Sequence, residues 1–453
     1  MYLYLLYIKE SFFPKVQILD YRLTLFKNIT HEFDDEQFDN RSKDGDKKAF
    51  SRVKFFTIKK LVVIIMLLKS SYQAELDRFC KTLLEEDYNI RQVTKGALTQ
   101  ARAKLNPWAF QRLCQIAVDA FYTNSKYFGW RGFRVLAVDG SRLKLPNSKD
   151  IAKEFGTHHV GRNASCAVSL ATISLVYDVF NNITIDSQIG PWSKSESEIV
   201  FKDHMKVLKP GDFILADRGY PSMKLMVQLK EKKIEFCFRM KENWWKPVRE
   251  FRKSTKKQMV IHLPVNKKIR KELGLSSDYK DLKVRLMKIE LDTDEVEILC
   301  TSLTDSQKYP HKEFKELYHM RWGVEEAYKL LKSRIEVENF SGLTARSIYQ
   351  DFHAKVLMIT LCSIMSYPID EKVKAEYAKE KTNNKYDQQI NKTQTLRITK
   401  DNLIYLFFKD IWAKILKQID LMIEETRECI RPQRKVPRNH RPKKPHYTNY
   451  KPI

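Results

Sequence analysis

The chain has 453 residues, enough for two or three domains with sizeable hydrophobic cores. Its 82 Lys and Arg residues against 56 Asp and Glu residues give a formal net charge of +26, which favours polyanionic partners, nucleic acid before anionic membrane. Seven scattered cysteines without a Cys-x2-Cys pair argue against a disulfide framework or a zinc site, and the apolar residues 61–68 are too few to span a membrane, so we expect a cytoplasmic protein without a signal peptide.

The first 130 residues are predicted to form an extension and a helical region. Residues 1–50 include a polar run, residues 34–44, that is typical of a loop. From residue 53 to 128 the apolar residues recur at helical spacing, which predicts several packed helices. Thr94 is the predicted N-cap of one of them. Four polar side chains are expected on the outer face of that helix: Lys95, Gln100, Arg102 and Lys104.

Two predicted strands each end at an aspartate. Residues 133–138 are apolar and β-branched and lead into Asp139, and residues 213–216 lead into Asp217. Between them lie two predicted strands and one predicted helix, at residues 164–176, 182–189 and 196–208. Because ligands of such α/β layers bind outside the carboxyl ends of the strands, we expect both aspartates to face one site. Asp-Gly after a strand is also common in a simple turn, so the first aspartate alone identifies nothing.

The chain between the second aspartate and residue 310 is predicted to be rich in strands. A helix is expected at residues 222–232, and four strand-like segments follow: 235–240, 259–263, 282–291 and 295–303. Beyond residue 340, helices are expected at 347–365 and 403–425, with a polar loop between them. The last residues, 431–453, are basic, Pro-rich and free of acids, which is typical of a disordered tail with non-specific affinity for phosphates.

A single helix predicted at about residues 313–338 carries the most informative pattern. Its apolar residues form one stripe, and at about 100° per residue a second face aligns one carboxylate with a tyrosine and several cations. The members of that face are Tyr318, Arg321, Glu325, Lys329 and Lys332. Such a face suits a phosphodiester, because the carboxylate can hold a metal ion while the cations hold phosphates. Gly323 in mid-helix indicates close approach of a ligand, and the alternative for the whole stretch is a salt-bridged surface helix.

The spacing Tyr-x2-Arg-x3-Glu-x6-Lys within this helix resembles the signature of the DDE transposases of bacterial insertion sequences, in the group named after insertion sequence four. Asp139-Gly and Asp217-Arg-Gly-Tyr resemble the first and second acidic motifs of the same family, in the same chain order. The resemblance implies that Asp139, Asp217 and Glu325 are catalytic and bind two divalent ions, Mg²⁺ or Mn²⁺. It also implies that Tyr318, Arg321 and Lys332 hold the DNA backbone near the cut, with Lys329 on the same face and Trp322 stacked or packed beside it. Arg218 is either a further phosphate contact or a brace of the turn at Asp217.

The fold class implied by this resemblance is α/β, with a ribonuclease-H-like catalytic core and a β-rich insertion before the catalytic helix. The predicted division is an N-terminal extension (1–50), a helical DNA-binding domain (51–130), the catalytic domain (131–345, with its insertion at about 233–310), C-terminal helices (346–430) and a basic tail (431–453). Residues 94–105 are similar to the segment that precedes the core in these transposases. The helical region is therefore either a bundle with a solvated basic side or a domain that binds terminal repeats.

The implied function is metal-dependent cleavage of DNA at terminal inverted repeats, followed by strand transfer into target DNA. The implied partners are these DNA ends, the target DNA and a second copy of the chain in a synaptic complex, without a membrane, in the bacterial cytoplasm at the nucleoid. Two alternatives remain open. One is a ribonuclease-H-like nuclease that cuts without joining, and the other is an inactive, transposase-derived DNA-binding protein.

Overall fold

The computed structural model describes residues 10–12, 20–45, 48–50, 55–69, 71–88, 90–160, 166–241, 245–291, 295–379 and 386–431. The chain divides into two compact units. The first unit contains Met1–Phe12, Tyr127–Ser141 and Thr172–Tyr328, and the second contains Phe13–Lys126, Arg142–Ala171 and Lys329–Ile453.

The described strands and helices alternate along most of the chain. The strands are β1 (Glu10–Phe12), β2 (Tyr127–Gly129), β3 (Arg134–Lys144), β4 (Thr157–Val160), β5 (Cys166–Asp178), β6 (Ile183–Pro191), β7 (Asp212–Ala216), β8 (Glu235–Arg239), β9 (Gln258–Pro264), β10 (Asp281–Glu290), β11 (Val296–Thr301), β12 (Gln388–Ile390) and β13 (Arg427–Cys429). The α-helices are Tyr21–Phe33, Glu36–Arg41, Ile58–Leu67, Tyr72–Leu84, Lys95–Arg102, Trp108–Asn124, Lys149–Phe155, Glu196–Lys202, Met223–Glu231, Lys246–Lys253, Lys267–Leu273, Phe314–His319, Gly323–Lys329, Ala345–Lys379, Lys392–Phe408 and Trp412–Glu425.

The first unit is built on a mixed sheet. Its strands lie in the order β5-β3-β7-β8-β11-β10-β9, and β6 pairs with β5. β3, β7 and β8 are parallel to one another, whereas β11, β10 and β9 continue the sheet as antiparallel neighbours. All five residues of β7 are buried, as expected of a parallel strand covered on both faces. β7 is therefore a central strand of this unit.

The second unit has a helical core. The long helix Ala345–Lys379 packs against Trp108–Asn124, which also packs against Tyr21–Phe33. Part of the long helix, Ala345–Tyr377, is apolar and long enough to cross a membrane, but 89% of its most apolar window is buried inside the structure. That burial is typical of the core helix of a globular unit.

Several predictions of local structure are confirmed. The strands that lead to both aspartates are present, and so is the predicted hairpin, as β5 and β6. Thr94 caps the helix Lys95–Arg102, because its hydroxyl accepts a hydrogen bond from the Ala97 amide at 3.3 Å. Residues 292–294, between the predicted strands 282–291 and 295–303, lie outside the described residues, as does the basic tail from residue 432 onward.

Three predictions of local structure are wrong, each for a physical reason. The strand before Asp139 continues through it to Lys144, and at its end Leu143 is buried between the exposed Arg142 and Lys144, the alternation expected of a strand. The polar run 34–44 contains the helix Glu36–Arg41, which Asp35 caps and which buries Phe38. The single helix expected at 403–425 is two helices, and the indole of Trp412 donates to the Leu406 carbonyl at the end of the first.

Arg102 is also misplaced by the sequence analysis. It was expected on the outer face of its helix beside Lys95, but its side chain is buried and forms a salt bridge with Asp351. The Nη2 to Oδ1 distance is 2.8 Å, and Nη2 also donates to the Ser347 carbonyl at 3.0 Å. The guanidinium thus stabilises the core of the second unit. Because Arg102 is absent from the outer face of the helix, that face has fewer basic residues with which to bind a DNA groove.

Candidate active site

Asp139 and Asp217 follow neighbouring positions on two parallel strands. Val138 of β3 lies opposite Ala216 of β7 in the ladder. Because adjacent strands are about 4.8 Å apart, the next residue of each strand lies at the same edge of the sheet. The Asp217 carboxylate is about one-third exposed, yet its Oδ1 atom is buried and has no hydrogen-bond partner among the described residues. This oxygen therefore keeps an unused hydrogen-bonding capacity, with only the ion pair to Arg239 beside it.

The segment that carries the Tyr-x2-Arg-x3-Glu-x6-Lys spacing, residues 311–334 and here called the signature segment, is not one regular helix. It consists of the 3₁₀ turn His311–Glu313, the helix Phe314–His319, the 3₁₀ turn Met320–Trp322, the helix Gly323–Lys329 and the π turn Leu330–Arg334. A 3₁₀ turn has about three residues per turn, so it rotates later side chains relative to a regular α-helix.

Arg321 lies beside both Tyr318 and Glu325, as the predicted face requires, but the members of that face differ in burial. Tyr318 and Arg321 are buried, with 6% and 4% exposure, whereas Glu325 is about one-third exposed and Lys329 is exposed. Tyrosine and arginine thus face the interior of the first unit, and the carboxylate lies nearer to solvent.

Two tyrosines of the signature segment hold the ends of the two central strands. The Tyr318 hydroxyl donates to the carbonyl of Ala216, the residue before Asp217, at 3.3 Å. The Tyr328 hydroxyl donates to the carbonyl of Asp139 itself at 2.7 Å. Burial raises the pKa of Tyr318 well above its usual value, so this hydroxyl keeps its proton as a donor. The segment is thereby fixed to the edge of the sheet where both aspartates lie.

Gly323 faces the protein interior rather than an open ligand site. A Cβ atom added there would lie 3.6 Å from the ring of Tyr177 and 3.7 Å from a methyl of Val179. The ligand approach expected from the sequence is therefore not what the backbone shows. Both distances are ordinary van der Waals contacts, so the space beside Tyr177 and Val179 would also admit an alanine.

Arg321 is the electrostatic centre of the site. Burial opposes its charge, but the neighbouring Tyr318 and the carboxylates of Asp217, Asp139 and Glu325 hold the pKa of its guanidinium above the ordinary value. The distance from Arg321 Nη2 to Glu325 Oε1 is 3.4 Å, and the buried Nε atom has no hydrogen-bond partner among the described residues. The guanidinium is thus paired with Glu325, is stabilised by the charges of the two aspartates, and retains a buried donor without a hydrogen-bond partner in the described structure.

Two further charged residues lie beside Asp217 and were missed in the sequence. Arg239, at the end of β8, is 3.7 Å from Asp217 Oδ1 and 3.0 Å from Glu297 of β11. Burial raises the pKa of Glu297, against the opposing effect of Arg239. The order of the strands in the sheet could have revealed Arg239. Phe238 of β8 lies opposite Ala216, so the next residue of β8 reaches Asp217.

The three acids do not form a metal cluster as they stand. In the described ranges, no group of three or more His, Cys, Asp or Glu side chains is close enough to hold a metal ion. Arg321 lies near all three carboxylates, and Arg239 lies beside that of Asp217. The donor set still fits a hard divalent ion, because carboxylate oxygens are the ligands that Mg²⁺ prefers and Asp217 Oδ1, although 3.7 Å from Arg239, is buried without a hydrogen-bond partner in the described residues.

The remaining predicted DNA contacts differ in exposure. Trp322 is 52% exposed and lies beside the Arg321 guanidinium, 5.2 Å from ring centroid to Cζ, and Arg218 is exposed directly after Asp217. In the second unit, Lys329 is exposed, whereas Lys332 is half-buried and donates to the Arg142 carbonyl at 2.8 Å. Burial lowers the pKa of Lys332, partly offset by Glu338.

Comparison with known proteins agrees with the sequence resemblance. The model of the family described as transposase DDE domain matches residues 130–361, slightly more than half of the chain. The chain is 24% identical over 264 residues to the transposase InsG for insertion sequence element IS4 of Escherichia coli (strain K12), a match that covers 56% of each protein. It is 19% identical over 297 residues to the transposase for insertion sequence element IS231F of Bacillus thuringiensis subsp. israelensis, covering 56% of this chain and 60% of the relative.

These matches cover little more than half of the length of either relative. Among solved structures, the chain is similar to a piggyBac transposase in a cryo-EM synaptic complex with hairpin DNA, at 11% identity and a TM-score of 0.46, over 90% of this chain and 86% of that chain. A TM-score of this size carries no argument about the fold.

Proposed function

The chain belongs to the family of transposase DDE domains, and from this premise we propose that it cuts DNA at the terminal inverted repeats of an insertion sequence and transfers the cut strand into target DNA. The observation that carries the proposal is that the signature segment, which carries Glu325, is hydrogen-bonded to the backbone beside Asp217 and at Asp139: Tyr318 donates to the carbonyl of Ala216 and Tyr328 to that of Asp139. These acids come from two adjacent strands and one helix, with Asp139 inside β3, Asp217 directly after β7 and Glu325 in the helix Gly323–Lys329, although they lie far apart in the sequence.

We propose further that the core of the first unit is ribonuclease-H-like. Its order along the chain supports this: the strand β3, the hairpin β5–β6, the helix Glu196–Lys202 and the strand β7. The antiparallel strands β9, β10 and β11 then correspond to the β-rich insertion, which also contains the short basic helices Lys246–Lys253 and Lys267–Leu273. The predicted domain boundaries remain part of this proposal.

Asp139, Asp217 and Glu325 are proposed to hold two divalent ions, Mg²⁺ or Mn²⁺. When bound, such ions activate the attacking oxygen and stabilise the leaving oxygen of a phosphodiester. The chain's own contribution is to hold the carboxylates at one edge of the sheet. Tyr318 and Tyr328 serve this role by fixing the backbone before Asp217 and at Asp139.

Arg321 is proposed to bind a phosphate of the DNA backbone. An arginine presents a planar fork of donors that matches phosphate oxygens, and its Nε atom here has no partner in the described structure. The neighbouring Trp322 exposes half of its side chain, so it can stack on or pack beside the DNA. Arg218, Lys329 and Lys332 are proposed to supply further positive charge along the backbone.

Partners and location follow from the same proposal. The DNA partners are the transposon ends and the target, and the net charge of +26 supports association with both. Two copies of the chain are proposed to hold two ends in a synaptic complex, in the bacterial cytoplasm at the nucleoid. The helical segment Lys95–Arg102 remains a candidate for binding the terminal repeats, through the exposed Lys95 and Gln100.

The experiment that tests this function supplies the full chain with a DNA duplex that carries the cut end of the insertion sequence, a supercoiled target plasmid and Mg²⁺. We expect a covalently joined product of end and plasmid. Metal-dependent nicking without any joined product would favour a nuclease of the same core. Binding of the end without nicking or joining would leave a DNA-binding protein derived from a transposase. Either of these two results would contradict the proposed strand transfer.

A further inference from the structure

A buried chain of polar side chains runs from Asp186 to the backbone of Asp139. Asp186 of β6 contacts His204 in the 3₁₀ turn His204–Lys206, with 2.6 Å between Oδ2 and Nδ1. The other ring nitrogen, Nε2, lies 2.8 Å from the hydroxyl of Ser174 on β5. That hydroxyl lies 3.3 Å from the carbonyl oxygen of Asp139 and donates to it. All these residues belong to the first unit.

The order Asp, His, Ser resembles that of hydrolases in which a histidine activates a serine nucleophile. Such a serine must reach a substrate, but Ser174 and His204 are both fully buried. The Ser174 hydroxyl points to the backbone carbonyl of Asp139 instead. The arrangement is therefore suited to holding a group in place, not to attacking a substrate.

The directions of the hydrogen bonds follow from the charge of Asp186. Burial opposes ionisation, yet hydrogen bonds with His204 and Gln188 hold the pKa of Asp186 below its ordinary value, so this carboxylate only accepts. His204 Nδ1 is therefore the donor to Asp186. A serine hydroxyl has one proton, which here serves the Asp139 carbonyl, while His204 Nε2 lies 2.8 Å from the same hydroxyl oxygen.

We propose that Ser174, supported by His204 and Asp186, is a positioning residue for Asp139. A carbonyl oxygen has two lone pairs. That of Asp139 accepts hydrogen bonds from two hydroxyls on different elements, Tyr328 at 2.7 Å and Ser174 at 3.3 Å. The backbone of Asp139 is thus held from the signature segment and from β5, which fixes the direction of its carboxylate. The inference rests on the proposed function, in which Asp139 binds a divalent ion. Groups that orient a metal ligand without touching the metal commonly change affinity by about 10–100-fold.

The test is the affinity of the full chain for Mn²⁺, followed by electron paramagnetic resonance of the free ion, with the urea midpoint of unfolding measured on the same samples. Ser174→Ala removes the hydroxyl and is expected to raise the Kd for Mn²⁺ about tenfold. Ser174→Thr keeps a hydroxyl and is expected to restore most of the affinity. His204→Gln, which interrupts the chain one step earlier, is expected to weaken Mn²⁺ binding in the same direction.

Thr172→Val is the matched control. Thr172 lies two residues earlier on β5, is also buried, and its hydroxyl donates at the same distance, 3.3 Å, but to the carbonyl of Trp192. We expect this variant to leave the Kd for Mn²⁺ unchanged. An unchanged Kd in Ser174→Ala, or an equal loss of affinity in Ser174→Ala and Thr172→Val, would overturn the proposal.

Asp139→Asn separates this inference from the function on which it rests. A large loss of Mn²⁺ affinity in Asp139→Asn with no change in Ser174→Ala refutes only the positioning role of Ser174, His204 and Asp186, here called the positioning chain. Unchanged affinity in Asp139→Asn removes Asp139 from the metal site, which overturns both the positioning chain and the proposed site.

Discussion

Glu325→Gln is expected to lower the rate of DNA strand cleavage by about three orders of magnitude, because several kcal/mol of charge stabilisation depend on a metal-binding carboxylate. The substitution keeps the size and the polar character of the side chain, and Glu325 is one-third exposed, so the fold should tolerate it. Cleavage is measured as nicking of a labelled DNA end in Mg²⁺, and binding of the same DNA is measured by gel shift. Binding should be retained, since Arg321 keeps its charge and loses one competitor.

The matched control for this variant is Glu326→Gln. Glu326 is the next residue of the helix Gly323–Lys329, is exposed, and points about 100° away around the helix. Its substitution removes the same charge and should change the cleavage rate by less than about threefold, within the range of a surface substitution. Equal rates for Glu325→Gln and the unmodified chain would exclude Glu325 from the site.

Arg102→Ala is expected to destabilise the second unit by about 3–5 kcal/mol, because it leaves Asp351 charged and buried without its partner. The two side chains are only 5% and 3% exposed. The ion pair joins two stretches of this unit that are 249 residues apart in the sequence. Asp351 also accepts a hydrogen bond from the amide of Ser341 at 2.6 Å. The change is measured as the shift in the urea midpoint of unfolding.

Arg112→Ala provides the comparison within the same unit. Arg112 also forms a two-bond salt bridge, with Glu32 at 2.5 and 2.9 Å, but its side chain is 41% exposed. Its removal should cost about 1 kcal/mol or less. If Arg102 instead lay on an outer, DNA-facing surface, Arg102→Ala would weaken DNA binding without moving the unfolding midpoint, and that result would contradict the structure.

The difference between prediction and structure at Arg102 shows where sequence patterns fail. The helical period identified its helix and the Thr94 cap correctly, because both depend on neighbours within a few residues. The partner of Arg102 is Asp351, 249 residues away in the sequence. A pattern of neighbouring residues cannot reveal a contact between residues so far apart. A basic residue at a polar-looking position was therefore taken to face solvent.

The candidate site was predictable to the extent that it depends on strand ends. The two strands before Asp139 and Asp217 were evident from their apolar residues, and their adjacency in the sheet brings both aspartates to one edge. The 3₁₀ turn Met320–Trp322 was not evident, because its residues are compatible with a regular helix. That turn accompanies the burial of Arg321, which the regular spacing had placed on an exposed face.

The positioning chain and Arg239 were hidden for a related reason. Ser174, His204 and Asp186 come from three separate elements, and each alone is an ordinary polar residue in a strand or turn. Their contacts arise only when β5 and β6 pair and the segment around His204 covers them. Arg239 required the order of the sheet, which the strand predictions did not contain.

The most direct test of the proposed site is a crystal structure of the full chain with DNA ends and Mn²⁺, with the catalytic step prevented by a DNA end that lacks the reactive 3′-hydroxyl. The proposal predicts two anomalous peaks about 3.5–4 Å apart, with carboxylate oxygens of Asp139, Asp217 and Glu325 as ligands, and the Arg321 guanidinium moved onto a phosphate. Carboxylates that remain paired with Arg321 and Arg239, with Mn²⁺ absent from all three, would contradict it.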